Sequence, residues 1–413
     1  MRIMVSGRAS GTAMVTAALL TVLSLTGCGS AGPSASAPAS STTTPMTPAG
    51  SATSVPAPSG PSTSPTATAP VAGTGGPVPA GFAATSVTFV SADEAFVLGT
   101  APCVSKPCTS IVRTLDRGAS WVGLSVPSVA LGPVDSGSSP AVWGIRFAGP
   151  SHGFVFGNGL WETTDGGEQW ARVGSPAGSI TDLEVIDGQV LALTSSCPAS
   201  QSNCDVSVAM LYRRALSGGP WRAVTHVSGA RVIATQARVA AMLDGDSVMV
   251  TGDGGLGYAT HPTPCATLNA AGEGPWGPAA VAVTGPASLA MLCGGPIAAG
   301  SAEKRVFVSD SLGARWTEVG APPLGGAPMG ISGATPEQLV VEAVSGGSWL
   351  YYSADGGVHW STGYFAGDGG AGFSGLGFTT TTDGVAVHGP VPVMPGQLLL
   401  TGDSGATWTA VTW

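Results

Sequence analysis

Beyond residue 84 the chain alternates short apolar runs with Gly-, Asp- and Ser-rich breaks, and several of the runs come in pairs. SVTFVSADEAFVLG at 86–99, GIRFAGPSHGFVFG at 144–157 and GLGFTTTTDGVAVHG at 375–389 each read as strand, tight turn, strand. A half-buried strand brings every second side chain to one face, and the break between runs supplies residues that tolerate bent backbone. Third runs follow as SIVRT at 110–114, KRVFVS at 304–309, LYYS at 350–353 and LLLT at 398–401. These lead into a common octapeptide, and a fourth strand starts around its terminal aromatic, as in WTAVTW at 408–413.

The octapeptide is Ser/Thr-x-Asp-x-Gly-x-x-Trp. It recurs as TLDRGASW at 114–121, TTDGGEQW at 163–170, SADGGVHW at 353–360 and TGDSGATW at 401–408. TGDGGLGY at 251–258 ends in Tyr258, SDSLGARW at 309–316 has Ser311 in the Asp position, and RALSGGPW at 214–221 keeps only Gly218 and Trp221. The aromatic ends fall at intervals of 49, 51, 37, 58, 44 and 48 residues. A period near fifty with four short strands per unit predicts an all-β fold, a seven-bladed β-propeller of four-stranded antiparallel blades. The blades are expected near 84–128, 141–178, 179–227, 229–263, 279–321, 328–366 and 373–413, with very little helix. The last box has its own outer strand, so ring closure by exchanged strands is either absent or confined to the segment around 82–86.

The box has a structural chemistry. Asp116, Asp165, Asp253, Asp355 and Asp403 can accept backbone N–H groups across a tight turn, and the Gly two residues on, such as Gly313, can take positive φ. Trp121, Trp170, Tyr258, Trp316, Trp360 and Trp408 then return where a large apolar body can pack between sheets. These aspartates are therefore read as turn locks, not catalytic acids. Residues 84–413 resemble the Asp-box, or BNR, repeat families, which include sialidases, xyloglucan-cleaving endoglucanases and non-enzymatic assembly factors of the Ycf48 type. The resemblance implies the fold and leaves activity open, because enzymes and scaffolds share the box.

The first 83 residues carry no such pattern. Arg2 and Arg8 precede an apolar stretch from Thr12 to Leu25, and Leu25-Thr26-Gly27-Cys28 resembles a bacterial lipobox. The expectation is a signal peptide over 1–27, lipidation at Cys28, and a protein held on the extracytoplasmic face of the cell membrane by acyl chains. No charged residue occurs from Ala9 to Ala92, and 29–80 is almost entirely Ala, Ser, Thr, Pro and Gly. Such a stretch lacks the apolar area to repay ordering. Residues 28–83 are thus read as a lipidated Cys and a disordered stalk whose contour reaches roughly 150 Å.

Composition narrows the partners. With 15 Lys+Arg against 24 Asp+Glu, and a net charge of -9, the chain lacks the clustered cations that displace counterions from nucleic acid. Besides Cys28 there are six cysteines, and export to an oxidising compartment pairs them as Cys103–Cys108, Cys197–Cys204 and Cys265–Cys293. No His set completes a tetrahedral cluster with them, so neither metal nor cofactor is expected.

The connections between second and third strands share one rim with those between blades, and the boxes occupy the other. Function is sought on the irregular rim, where Asp135, Asp205, Glu273, Trp276, Glu303, Asp368 and His388 look exposed. Trp276, set among Gly and Pro, also reads as a plug for its own insertion. The sialidase resemblance implies an Arg-Ile-Pro motif, a three-arginine clamp and a Tyr/Glu nucleophile pair. The chain has no Arg-Ile-Pro, Arg146, Arg231 and Arg305 lack the family's local patterns, and Tyr351 and Tyr352 have no Glu nearby in sequence. No catalytic set is legible. The reading is a monomeric head that binds a protein or cell-envelope polymer as a scaffold or assembly factor. The alternative is a glycoside hydrolase with carboxylates drawn from Asp135, Glu273 and Glu303.

Overall fold

The structure, a computed structural model, describes residues 75–104, 107–132, 141–195, 208–230, 232–272, 274–389 and 396–413. Seven sheets follow one another along these residues, each built from consecutive antiparallel strands. Blade 1 holds β1 (Ala83–Phe89), β2 (Ala95–Ala101), β3 (Cys108–Thr114) and β4 (Val122–Leu124). Blade 2 adds a two-residue parallel strand, β5 (Ala130–Leu131), inside β6 (Ala141–Phe147), β7 (Gly153–Gly157), β8 (Leu160–Thr163) and β9 (Ala171–Val173). Blade 3 runs β10 (Ser179–Ile186), β11 (Gln189–Ser195), β12 (Val208–Ala215) and β13 (Arg222–Ser228). Blade 4 runs β14 (Ala234–Gln236), β15 (Val239–Asp244), β16 (Ser247–Thr251) and β17 (Ala259–Pro262). After α1 (Cys265–Ala270) come blade 5, with β18 (Gly277–Gly285), β19 (Ser288–Ala298), β20 (Ser301–Ser309) and β21 (Thr317–Gly320), and blade 6, with β22 (Ala327–Gly333), β23 (Leu339–Val344), β24 (Ser348–Ser353) and β25 (Ser361–Ala366). Blade 7 ends the chain with β26 (Phe373–Phe378), β27 (Gly384–His388), β28 (Gln397–Thr401) and β29 (Thr409–Ala410).

Six of the seven boxes lock their turns by the same bonds, whereas the copy at 214–221 lacks the Ser/Thr and Asp and closes by a backbone bond from Gly218 to Ala215. In blade 2, Thr163 Oγ1 donates to Asp165 Oδ1 at 2.8 Å and accepts the Gly167 N–H at 3.0 Å, while Asp165 Oδ1 accepts the Gln169 N–H at 2.9 Å. Ser311 takes over the aspartate's role in blade 5, accepting the Arg315 N–H at 3.1 Å. The fourth box residue, left-handed even where it is Arg117, Leu312 or Ser404, donates its N–H to the first hairpin of its own blade. Arg117 reaches the Asp93 carbonyl at 3.0 Å and Gly356 the Glu337 carbonyl at 2.8 Å. The box glycine has a second reason to lack a side chain, because a β-carbon at Gly118 would come within 2.7 Å of Leu400 in the neighbouring blade.

Each terminal aromatic packs against the core shared with the preceding blade, Trp170 with blade 1 and Trp360 with blade 5. The seven interblade cores therefore depend on seven turns. Thr163→Val keeps the side chain's shape but removes the acceptor of the buried Gly167 N–H, which should cost about 1–3 kcal/mol. The expected result is a lower urea midpoint at unchanged slope; an unmoved midpoint would show the network dispensable.

The ring closes without exchanged strands. Phe82, Ala84, Val87, Val97 and Val112 share one core with Val385, Val387 and Leu398. The Ala84 N–H reaches the Gly396 carbonyl at 2.9 Å, and Trp413 stands edge-on to Phe82 and Trp121. Cys103–Cys108 and Cys265–Cys293 are bonded; Cys28, Cys197 and Cys204 lie outside the described residues. Blade 4 is the shortest unit, and the insertion after it makes up apolar area: Cys265, Leu268 and Trp276 enter the core between blades 4 and 5.

Candidate functional site

Because every blade is antiparallel, the boxes and first hairpins fall on one rim, and the second hairpins and interblade connections on the other. Of the residues sought on this second rim, Asp135, Asp205 and Glu273 lie outside the described residues. Glu303 is exposed on β20. The exposed reading fails for the other three. Trp276 is 5% exposed, its backbone is clasped by the Asn269 amide through bonds of 2.6 and 2.8 Å, and Arg305 stacks over its ring at 5.6 Å. It is a core plug, as its Gly/Pro surroundings allowed.

Asp368 and His388 come together and are buried, with side chains 5% and 6% exposed. His388 Nε2 lies 2.6 Å from Asp368 Oδ2. Ser348 Oγ donates to the same oxygen at 2.7 Å and accepts the Gly372 N–H at 2.9 Å, and the Gly370 N–H bonds Asp368 Oδ1. Burial alone would raise the Asp368 carboxyl, but the bonds from Ser348, Gly370 and His388 together hold it below the ordinary aspartate value. These are the residue types of a nucleophilic triad in an order that does not activate serine: hydroxyl and imidazole both serve the carboxylate and not each other. The other imidazole nitrogen faces Tyr364 Oη at 3.4 Å. The cluster pins the connection between blades 6 and 7 to the end of β27.

A second charged cluster lies on β6 and β10, the first antiparallel strands of blades 2 and 3. Arg146 Nε bonds Glu184 Oε1 at 2.6 Å, its Nη2 lies 3.6 Å from Asp182 Oδ1, and its Nη1 reaches the Val87 carbonyl at 3.2 Å. Asp182 Oδ2 accepts the Ile233 N–H at 2.8 Å, and Thr235 Oγ1 donates to Glu184 at 3.4 Å. One guanidinium and two carboxylates thus join blades 1 to 4. Burial pushes the Asp182 carboxyl up to about 7, against the pull of Arg146. Ser86 and Thr88 serve the same end with neutral groups, accepting the N–H groups of Ile145 and Phe147. The spacing of Asp182 and Glu184 in SITDLEVI, two residues apart on one strand face, was the available signal for this cluster.

Lys304 and Glu342 are buried outside both clusters, without an oppositely charged partner among the described residues. Lys304 is 1% exposed; its Nζ donates to the carbonyls of Ala302, Leu324, Gly325 and Gly326 at 2.7–3.2 Å. Burial pushes its ammonium down to about 8. Glu342, 8% exposed, lies over Gly330, where a β-carbon would come within 2.6 Å of Glu342 Oε2. No hydrogen bond or ion pair reaches its carboxyl among the described residues, and burial pushes it up to about 7. A lone acid in the apolar run LVVEAV was its sequence signal.

The same architecture is found in two solved Ycf48 structures. Ycf48 bound to D1 peptide is similar over 79% of this chain and 93% of its own, at 16% identity and a TM-score of 0.50. Ycf48 from Cyanidioschyzon merolae is similar over 79% and 97%, at 15% identity and a TM-score of 0.50. At these identities the likeness concerns the fold. The GH74 xyloglucanase from Xanthomonas campestris is similar over 79% of this chain and 72% of its own, at 14% identity and a TM-score of 0.28, too slight to carry an argument. No family model and no curated protein matches the chain.

Proposed function

We propose that this protein is a lipid-anchored, non-catalytic propeller on the extracytoplasmic face of the membrane, and that its irregular rim binds a protein or cell-envelope polymer in a scaffold or assembly role. The observation that carries the reading is the asymmetry of the two rims. One is locked at six of its seven turns with repeated hydrogen bonds, while the other carries the connections that do not repeat, the usual place for recognition on a rigid scaffold. Ycf48 with its D1 peptide shows that a propeller of this fold can hold polypeptide. The acyl chains at Cys28 and the stalk that follows would set the head away from the membrane; the stalk ends before the expected residue 83, since Phe82 is buried in the head and Gly76 pairs with Gly123.

The test is binding of the labelled full chain to isolated cell envelopes. The reading expects saturable binding, reduced in graded steps by substitutions on the irregular rim and unaffected by surface changes on the box rim. Failure to saturate, or loss through box-rim changes alone, would contradict it. Cys28→Ser should release the protein from the membrane fraction without altering its melt.

The hydrolase alternative has one observation in its favour. Asp182 and Glu184 bring two carboxyls together on one strand face around Arg146, and a pair of carboxyls is what glycoside hydrolysis requires. Both are committed to Arg146, Ile233 and Thr235, which favours a structural role.

A further inference from the structure

Lys304 raises the question of why an ammonium is buried with carbonyl partners and no carboxylate, an arrangement that costs desolvation. Three of its four acceptors are the consecutive carbonyls of Leu324, Gly325 and Gly326, so it fixes the connection between blades 5 and 6. That connection displays Leu324, 59% exposed. The Leu324 carbonyl also accepts the Ala302 N–H at 3.1 Å, and Ala302 pairs in register with Ile297, 68% exposed. On the other side a β-carbon at Gly325 would lie 3.6 Å from Trp349, whose ring is 5.2 Å from that of Phe365, 56% exposed. The exposed Ile297, Leu324 and Phe365, with Trp349 against Phe365, thus outline an apolar ledge across blades 5 and 6 through these backbone and ring contacts. Exposed apolar side chains gathered in one place, unlike ones scattered singly, are what interaction surfaces present.

The geometry points to this ledge as a docking surface for an extended polypeptide that carries a large apolar side chain flanked by Lys or Arg. Charge sets the flanks. The connections framing the ledge, APPLGG at 321–326, SGG at 345–347 and GDGGAG at 367–372, contain no Lys or Arg, and the exposed Glu303 follows Ala302 directly. Backbone sets the extended form: Gly346 and Gly369 have open space where a side chain would stand, which lets a second main chain approach closely enough to bond. The ledge deepens the reading of the irregular rim as a binding surface and depends on it.

The probes are fluorescent seven-residue peptides with a central Phe-Leu pair flanked by Lys, the same pair flanked by Glu, and a central Ser-Ser pair flanked by Lys, each titrated into the full chain. The Lys-flanked Phe-Leu peptide should bind at least about tenfold more tightly than either control. Leu324→Ser with Phe365→Ser should remove that preference at an unchanged melt, since both side chains are exposed, and Glu303→Lys should shift it toward Glu flanks. Equal binding of the three peptides, or none, overturns the proposal. So does a loss at Leu324→Ser of self-association in sedimentation, or of binding to phosphatidylglycerol vesicles, either of which names a different occupant. If the ledge variant still binds envelopes like the parent, the ledge falls and the rim reading stands. If the parent binds no envelope component, the rim reading itself falls.

Discussion

Glu342→Gln should make the protein more stable at pH 8 by about 3 kcal/mol and leave it little changed at pH 4. Burial holds the folded carboxyl near 7 against an ordinary 4.5, and each tenfold change in proton affinity is worth about 1.4 kcal/mol. The folded chain therefore binds the proton more tightly than the unfolded chain. Stability from this group is full below about pH 4.5, declines as pH rises, and is lost above about 7. Glutamine does not ionise, so the variant's denaturant midpoint should fall less across that window than the parent's, the remaining fall coming from Asp182, whose carboxyl burial also raises. The box aspartates act with the opposite sign. Asp355, held at about 2 first by the backbone N–H of His359 and then by its side chain, contributes stability above the unfolded value that is lost as pH falls toward 2. A parent midpoint that falls no more than the variant's between pH 4.5 and 7 would show that the Glu342 carboxyl finds a donor.

Arg146→Met should be the most damaging single change on the inner strands, at about 3 kcal/mol. It leaves Asp182 and Glu184, with side chains 9% and 17% exposed, facing each other without their cation, and breaking a buried pair from one side costs far more than the pair contributes. The loss should shrink on acidification, because Asp182 gains a proton near 7, and Glu184→Gln in the same chain should recover part of it. Equal losses at pH 5 and pH 8 would mean that the arginine acts through its contact with the Val87 carbonyl and not through charge.

The blade count was legible because one octapeptide marks every blade, and even the decayed copy at 214–221 keeps the glycine and tryptophan that pack. The short parallel strand β5 was not legible, since two residues carry no period. The rim was harder to read. Asp368 and His388 were found as residue types, but loop position suggested exposure, and only the fold places Ser348 from another strand beside them. Lys304 looked like an ordinary strand residue, and Glu342 differed only in standing alone in an apolar run. What distinguishes them is burial, which depends on neighbours far away in sequence, such as the carbonyls at 324–326.

The central claim is recognition without turnover. It is tested most directly by incubating the full chain with sialosides, xyloglucan and envelope glycans and measuring product release, alongside Asp182→Asn, Glu184→Gln and Glu303→Gln variants. The account expects no release above a heat-inactivated control by the parent or any variant. Reproducible release by the parent, abolished in one carboxylate variant that retains the parent's melting curve, would contradict it.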